Sequence, residues 1–385
     1  MKIAQIAPLY EAVPPRQYGG TERIVAYLTD CLVSLGHEVT LFASADSRTS
    51  AKLVSIRGKA LRLDPQPLKS EYAAHLSMLD EVRRQAHQFD ILHFHVDLIH
   101  FPFFEKIASR TVTTLHGRLD LCDLAEVYRR WSAYPLVAIS DSQRSYLPHA
   151  SWIDTIPHGV PETLSLPSRH HDGYLAFLGR IAPEKGPDRA IAIAKKVGRK
   201  LKIAAKVDPA DRAYFREIIE PMIKDPLIEF IGEIGENQKS DFLGGASALL
   251  FPIDWPEPFG LVMIEAMACG TPIIAWANGS VPEVIERGVT GFIVKSEEEA
   301  AFAISRLDRL DRNLIRREFK RRFSVGIMGQ NYVRLYESLL DATENISQLP
   351  DVDSLPRGEK FPLHDPVGLP SHRGNGTRAI VVAGE

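Results

Sequence analysis

Short β-branched runs alternate with stretches of helical period from the first residue to about residue 310. That rhythm predicts parallel sheets covered by helices on both faces, an α/β architecture, because parallel strands need a crossover between them. Strands are expected at 2–7, 38–42, 90–94, 111–115, 136–139 and 153–156. Between the first two lies TERIVAYLTDCLVSLG, in which Ile24, Tyr27, Leu28, Cys31, Leu32 and Leu35 recur at helical spacing and Gly36 closes the helix. The alternation pauses at PHGVPETLSLPSRHHDG, residues 157–173, where prolines, glycines and polar residues read as a linker. It resumes with strands expected at 174–178, 202–205, 228–231, 248–251, 272–275 and 292–294. Ser296 and Glu299 suggest a capping box for the helix after the last of these.

Two domains of this α/β kind are expected. A chain of 385 residues exceeds what one core usually organises, and 45% hydrophobic content can supply two. The expected boundaries are 1–165 for the first domain, 172–325 for the second, 326–345 for a closing helix, and 346–385 for a proline-rich tail expected to be disordered. The start, MKIAQIAPLY, suits a core strand better than a signal peptide, and the apolar stretch Leu261–Ala277 is broken by Glu265, Gly270 and Pro272. Three cysteines at unrelated spacings give no disulfide framework, which fits a reducing, cytoplasmic setting. A formal net charge of −3 argues against nucleic acid as a partner. The basic run RNLIRREFKRR, residues 312–322, reads as a solvated helix face, with a peripheral contact to an anionic membrane left open.

Three segments carry chemistry. Gly19-Gly20 stands after the first strand and before a helix, where backbone amides can approach a phosphate and the helix N-terminus favours negative charge. The dinucleotide fingerprint G-x-G-x-x-G is absent there, which lowers a dehydrogenase reading. GRIAPEKG, residues 179–186, follows the first strand of the second half. Arg180 and Lys185 are placed there to converge on a diphosphate, against the alternative of an ion pair among Arg180, Glu184 and Lys185. In EPFGLVMIEAMACGTPIIA, residues 257–275, Pro258 can start a helix whose first amides, at Phe259, Gly260 and Leu261, are free for oxygens. Glu265 lies within its apolar stretch. A carboxylate in that setting needs a hydrogen-bonding partner, either a ribose diol or a neighbouring lysine or arginine.

Together these segments resemble the retaining glycosyltransferases of family 4. Glu257 and Glu265 reproduce the family's E-x7-E pattern, and Gly19-Gly20-Thr21-Glu22, His116-Gly117 and Gly179-Arg180 through Lys185-Gly186 stand in its order over residues 1–340. The resemblance implies the GT-B fold, two facing Rossmann-like domains with a cleft between them. It further implies that Arg180 and Lys185 bind the donor diphosphate with help from Gly19 and Gly20. Glu265 would hold the ribose, and Glu257 with the amides of Phe259, Gly260 and Leu261 would hold the transferred sugar. His116 would reach that sugar from the first domain. HGVP at 158–161 departs from the family's N-G-V/I-D, and ANGSVPE at 277–283 matches its glycine-rich loop loosely. His93, His95, Asp97 and His100 match no established zinc spacing, so no metal is expected.

The implied reaction is metal-independent hexosyl transfer with retention, from a UDP- or GDP-sugar to a hydroxyl acceptor that is a sugar, a lipid-linked molecule or a small molecule. No other cofactor is expected. Loops 14–18 and 118–128 are the expected acceptor side. A nucleotide-sugar epimerase of the same fold and a non-catalytic nucleotide-sugar sensor are the alternatives.

Overall fold

The computed structural model describes residues 1–16, 19–66, 69–163 and 172–347. Gln17 and Tyr18 of the expected acceptor loop, residues 164–171 of the expected linker and residues 348–385 of the expected disordered tail lie outside them. The first sheet is formed by β1 Lys2–Ile6, β2 Glu38–Phe42, β3 Lys52–Val54, β4 Ile91–Phe94, β5 Thr111–Thr114, β6 Leu136–Ala138 and β7 Trp152–Thr155, in the order β3-β2-β1-β4-β5-β6-β7. The second is formed by β8 Leu175–Arg180, β9 Leu201–Lys206, β10 Ile228–Gly232, β11 Ala248–Phe251, β12 Ile273–Trp276 and β13 Gly291–Val294, in the order β10-β9-β8-β11-β12-β13. All strand pairs are parallel. Two Rossmann-like sheets with a cleft between them make a GT-B-like fold, and both belong to one compact unit, Met1–Glu344.

Continuous apolar strands explain the parallel order. Ile3, Ala4 and Ile6 of β1 are fully buried, and Ile3 packs against a different cluster from Ala4 and Ile6, so helices cover both faces. The helix Gly20–Ser34 supplies Ile24, Leu28 and Leu32 to one of those clusters. Beyond it Gly36, at φ 88°, takes the left-handed conformation that reverses the chain into β2. Each strand expected from sequence occurs within one or two residues of its expected bounds. The edge strand β3 was not expected, since three half-exposed residues carry no periodic signal.

The chain crosses between the domains twice, and the crossings pair with each other. Val160 donates its N–H to Phe323 O at 3.0 Å and accepts from Val325 N at 3.0 Å. The helix Arg312–Phe323 packs Ile315, Phe319 and Phe323 into the second domain. The helix Val325–Ser347 then packs Met328, Tyr332 and Tyr336 against the first. The basic run does not form a simple solvated face. Arg312, Arg316 and Arg322 turn inward and donate to the carbonyls of Ala246, Gly244, Ala268, Glu162, Val284 and Glu283, so only part of the run is left for solvent. Arg312 and Arg316, four residues apart, share one helix face, Arg322 turns from another, and their guanidinium forks satisfy carbonyls that lie mostly at the ends of other elements.

Candidate active site

Between the sheets lies a cleft of about 660 Å³. Gly19, Gly20, Glu22, His116 and Gly117 border it from the first domain. Gly179, Arg180, Lys185, Glu257, Phe259, Gly260, Leu261 and Glu265 border it from the second. Every residue singled out for a site from the sequence therefore faces one shared space. They lie on segments that leave the carboxyl ends of β1, β5, β8 and β11, the side on which open α/β sheets place their ligands.

The helix at the centre of the second-domain wall spans Leu261–Ala268, so Pro258 precedes its first turn and does not start it. Its N-cap is Gly260 at φ 78°, and a Cβ there would meet Met263 Cε at 2.7 Å. The Phe259 and Ser280 segments fold over the start, with Ser280 Oγ donating to Phe259 O and Ser140 Oγ to Pro258 O. Across the cleft, a Cβ on Gly20 would lie 3.6 Å from Leu261 Cδ1. Two helix N-termini thus meet at the same opening, which concentrates unpaired amides and positive dipole ends there.

Cations and carboxylates alternate around these amides. Lys185 Nζ bonds Glu257 Oε2 at 2.6 Å and lies 4.3 Å above the Trp255 ring, whose Nε1 donates to the same oxygen at 3.0 Å. Arg180 reaches Glu184 at 2.9 Å, Asp208 at 3.4 Å and Asp211 at 3.5 Å. The local pair of Arg180 and Glu184 weighed from sequence therefore forms, while Lys185 takes Glu257. Glu265 is 6% exposed and paired as well. Its Oε1 meets Lys239 Nζ at 2.8 Å and Arg23 Nη1 at 3.5 Å. Desolvation pushes the Glu265 carboxyl upward, but Lys239 and Arg23 outweigh it and hold its pKa below the usual value. A neighbouring-cation partner and a cleft-facing position therefore occur together. Lys239, Arg23 and Trp255 were not foreseen; Arg23 beside Glu22 and Trp255 beside Glu257 were adjacent to motifs, whereas Lys239 had no local signal.

Beneath His116 runs a chain of imidazoles. His116 Nε2 is 2.8 Å from His95 Nδ1, His116 Nδ1 is 3.4 Å from His158 Nε2, and His95 Nε2 is 2.8 Å from Gln5 Oε1. Gln5 Nε2 lies 3.3 Å from both His93 Nδ1 and Tyr336 Oη. With the amide so placed, His95 donates from Nε2 and accepts at Nδ1, which makes His116 a donor at Nε2 and an acceptor at Nδ1. Burial keeps these rings neutral: His93, His95 and His158 sit well below the ordinary pKa, and His116 is pushed down to about 3. Among the described residues no three His, Cys, Asp or Glu side chains are grouped to hold a metal ion. His100, from the same run, bonds Thr113 Oγ1 at 3.1 Å and stacks on Phe94. No helix among them is long and apolar enough to cross a membrane.

Known proteins share this plan. Residues 18–164 match the family described as Glycosyltransferase Family 4, and residues 165–322 match Glycosyl transferases group 1. The phosphatidyl-myo-inositol mannosyltransferase of Mycobacterium leprae is 25% identical over 374 residues, covering 88% of this chain and 97% of that protein. The D-inositol 3-phosphate glycosyltransferase of Streptomyces scabiei is 31% identical over 157 residues, 38% of this chain, and the match spans 33% of the relative's length. Among solved structures, AviGT4, a glycosyltransferase involved in avilamycin A biosynthesis, superimposes with a TM-score of 0.66 at 24% identity over 88% of this chain and 98% of its own. Anabaena HepE in complex with UDP-glucose gives 0.67 at 18% identity over 88% of this chain and all of its own.

Proposed function

We propose, from the premise that this chain is a GT-B-fold protein related to the glycosyltransferases of family 4 and group 1, that it moves a hexosyl group from a nucleoside diphosphate sugar to an acceptor hydroxyl with retention. One observation carries the reading: Arg180, Lys185 and the Gly260 helix start converge with Gly19-Gly20 of the opposite domain on a single cleft that Glu265 also borders. As the bond between the anomeric carbon and the β-phosphate oxygen breaks, negative charge gathers on the diphosphate. Arg180, Lys185 and the amides at both helix starts stabilise it, the task a divalent cation performs elsewhere. The acceptor oxygen bonds the anomeric carbon on the same face, and its proton passes to the departing phosphate.

Glu265 takes the ribose, and Glu257, fixed by Lys185 and Trp255, takes hydroxyls of the transferred sugar together with the Phe259, Gly260 and Leu261 amides. His116 accepts a sugar hydroxyl at Nδ1 in place of its 3.4 Å contact with His158, the longer of its two ring bonds. The first domain is the acceptor side and the second the donor side, with the helix Val325–Ser347 returning to the first. UDP- and GDP-sugars are the expected donors. The relatives' inositol-based substrates make a phosphorylated polyol the first acceptor to try.

Thermal shift against UDP-, GDP- and ADP-sugars identifies the donor, since a ligand selective for the native state raises Tm. Proton NMR of the product then reads the anomeric configuration. Inversion at that carbon refutes retention, an epimer formed from donor alone identifies an epimerase, and binding with neither transfer nor donor hydrolysis identifies a sensor. Full turnover by Glu257→Gln at saturating donor contradicts the role given to Glu257.

A further inference from the structure

Four charged side chains form a closed cluster across the cleft. Arg23, on the helix Gly20–Ser34 of the first domain, places Nε 3.1 Å from Glu236 Oε2 and Nη1 3.5 Å from Glu265 Oε1. Lys239, on the helix Glu236–Gly244 of the second domain, places Nζ 2.8 Å from the same Glu265 oxygen and 3.3 Å from Glu236 Oε2. The Arg23, Lys239 and Glu265 side chains are 9, 12 and 8% exposed, so this is not a surface ion pair of negligible strength. Two cations balance two carboxylates. The contacts of Arg23 Nη1 and Lys239 Nζ to Glu265 both fall on Oε1.

The geometry links this cluster to closure of the cleft. Gly20 approaches Leu261, the first residue of the helix that carries Glu265, and one turn further along each helix Arg23 meets Glu265. Lys239 and Glu236 travel with the second domain, whereas Arg23 can reach Glu265 only when the two domains stand as close as they do here. We propose that Arg23 is a positioning residue which, from the opposite domain, orients the Glu265 carboxylate so that Oε2 grips the ribose hydroxyls of the donor only in the closed arrangement. The proposal rests on the assignment of Glu265 to the ribose. Arg23 acts through Glu265, and the grip on the ribose is thereby tied to the meeting of the two domains.

The consequence is selectivity at the ribose. Removing Arg23 leaves one cation for two carboxylates, and Lys239 is then shared between Glu236 and Glu265 from one side only. Calorimetry with UDP and 2′-deoxy-UDP, and with GDP and 2′-deoxy-GDP, measures the ribose contribution as a ratio of dissociation constants that cancels the general loss of positive charge. The unmodified protein should favour the ribonucleotide by about 10- to 100-fold, the range for a hydrogen bond to a charged group. Arg23→Met should bring the ratio below about threefold and Arg23→Lys should restore most of it. In small-angle scattering, saturating ribonucleotide should compact the unmodified protein more than Arg23→Met.

Glu265→Gln separates the two levels of the argument. A ratio unchanged in Glu265→Gln sinks the ribose assignment and this proposal with it. A ratio lost in Glu265→Gln but kept in Arg23→Met leaves the ribose assignment standing and overturns the role of Arg23. Should Arg23→Met not fold, Arg23→Gln carries the same readout.

Discussion

Mild acid should unfold this protein through its buried imidazoles. Burial holds His93, His95, His100 and His158 well below their ordinary pKa and pushes His116 down to about 3, so all five are neutral in the folded chain at pH 6. Once unfolded they protonate near pH 6.5. The unfolded chain then binds more protons than the folded one, and stability falls as pH falls, beginning near 6.5 and continuing toward the folded values. For one such histidine, a change from pH 7 to pH 6 removes about 0.7 kcal/mol, so five remove about 3 kcal/mol. By pH 5.5 the loss is about 6 kcal/mol, comparable with the whole stability of an ordinary domain. Glu11, Glu22, Asp211 and Asp97, raised by burial and the last of them to about 6, act in the opposite sense and offset part of this loss, but four carboxyls do not cancel five imidazoles. Urea unfolding at pH 7.0, 6.5, 6.0 and 5.5, at constant ionic strength, measures the slope, and His158→Gln should reduce it by one proton's worth. A free energy of unfolding that stays level between pH 7 and 6 would refute the reasoning.

Lys185→Met should lower kcat/KM for the donor by about 100- to 1000-fold, because it removes a cation from the developing diphosphate charge and leaves Glu257 to Trp255 alone; steady-state kinetics with donor varied is the check. At Gly279, φ 58°, a Cβ would stand 2.2 Å from Glu257 O and 2.3 Å from its N, so Gly279→Ala should cost about 2–4 kcal/mol in urea unfolding and displace Glu257. Glu283 bonds the amides of Asp141 and Ser142 at 2.8 and 2.7 Å from the other domain. Glu283→Ala should therefore lower stability by about 1–3 kcal/mol while leaving the nucleotide dissociation constant within about twofold, as calorimetry would show.

The strands were legible because parallel strands buried on both faces leave short unbroken runs of apolar or β-branched residues, and ILHF, TVTT and ALLF need no partner to be recognised. The glycines and the cation pair of GRIAPEKG were legible for a related reason, since their chemistry is local to one turn. What could not be read is what depends on contacts distant in sequence. Arg23 and Glu265 are 242 residues apart, and nothing near either names the other. The basic run was misread because solvation and carbonyl capping present the same composition, and only the position of Ala268, Gly244 and Glu283 relative to the helix decides between them. The start of the donor-side helix shifted from Pro258 to Leu261 because Gly260, in the left-handed region, lets the chain turn once more before the helix begins.

The pairing of every donor-side cation with carboxylates follows from the demands of burial. A cleft lined by Arg180, Lys185, Arg23 and Lys239 alone would gather like charges in a poorly hydrated space, where the lysines would be driven to lose a proton and the always-charged arginines to turn out toward water. Glu257, Glu236, Glu265 and the acidic group around Arg180 hold those cations in place at short distances. The same contacts set the terms on which a diphosphate binds. On the proposed reading its oxygens would share Lys185 with Glu257 and Arg180 with three carboxylates, and the difference between those arrangements is what the protein would gain. On that reading binding is an exchange of anionic partners around fixed cations, and Glu265, held by Lys239, would contribute by orientation instead of by net charge.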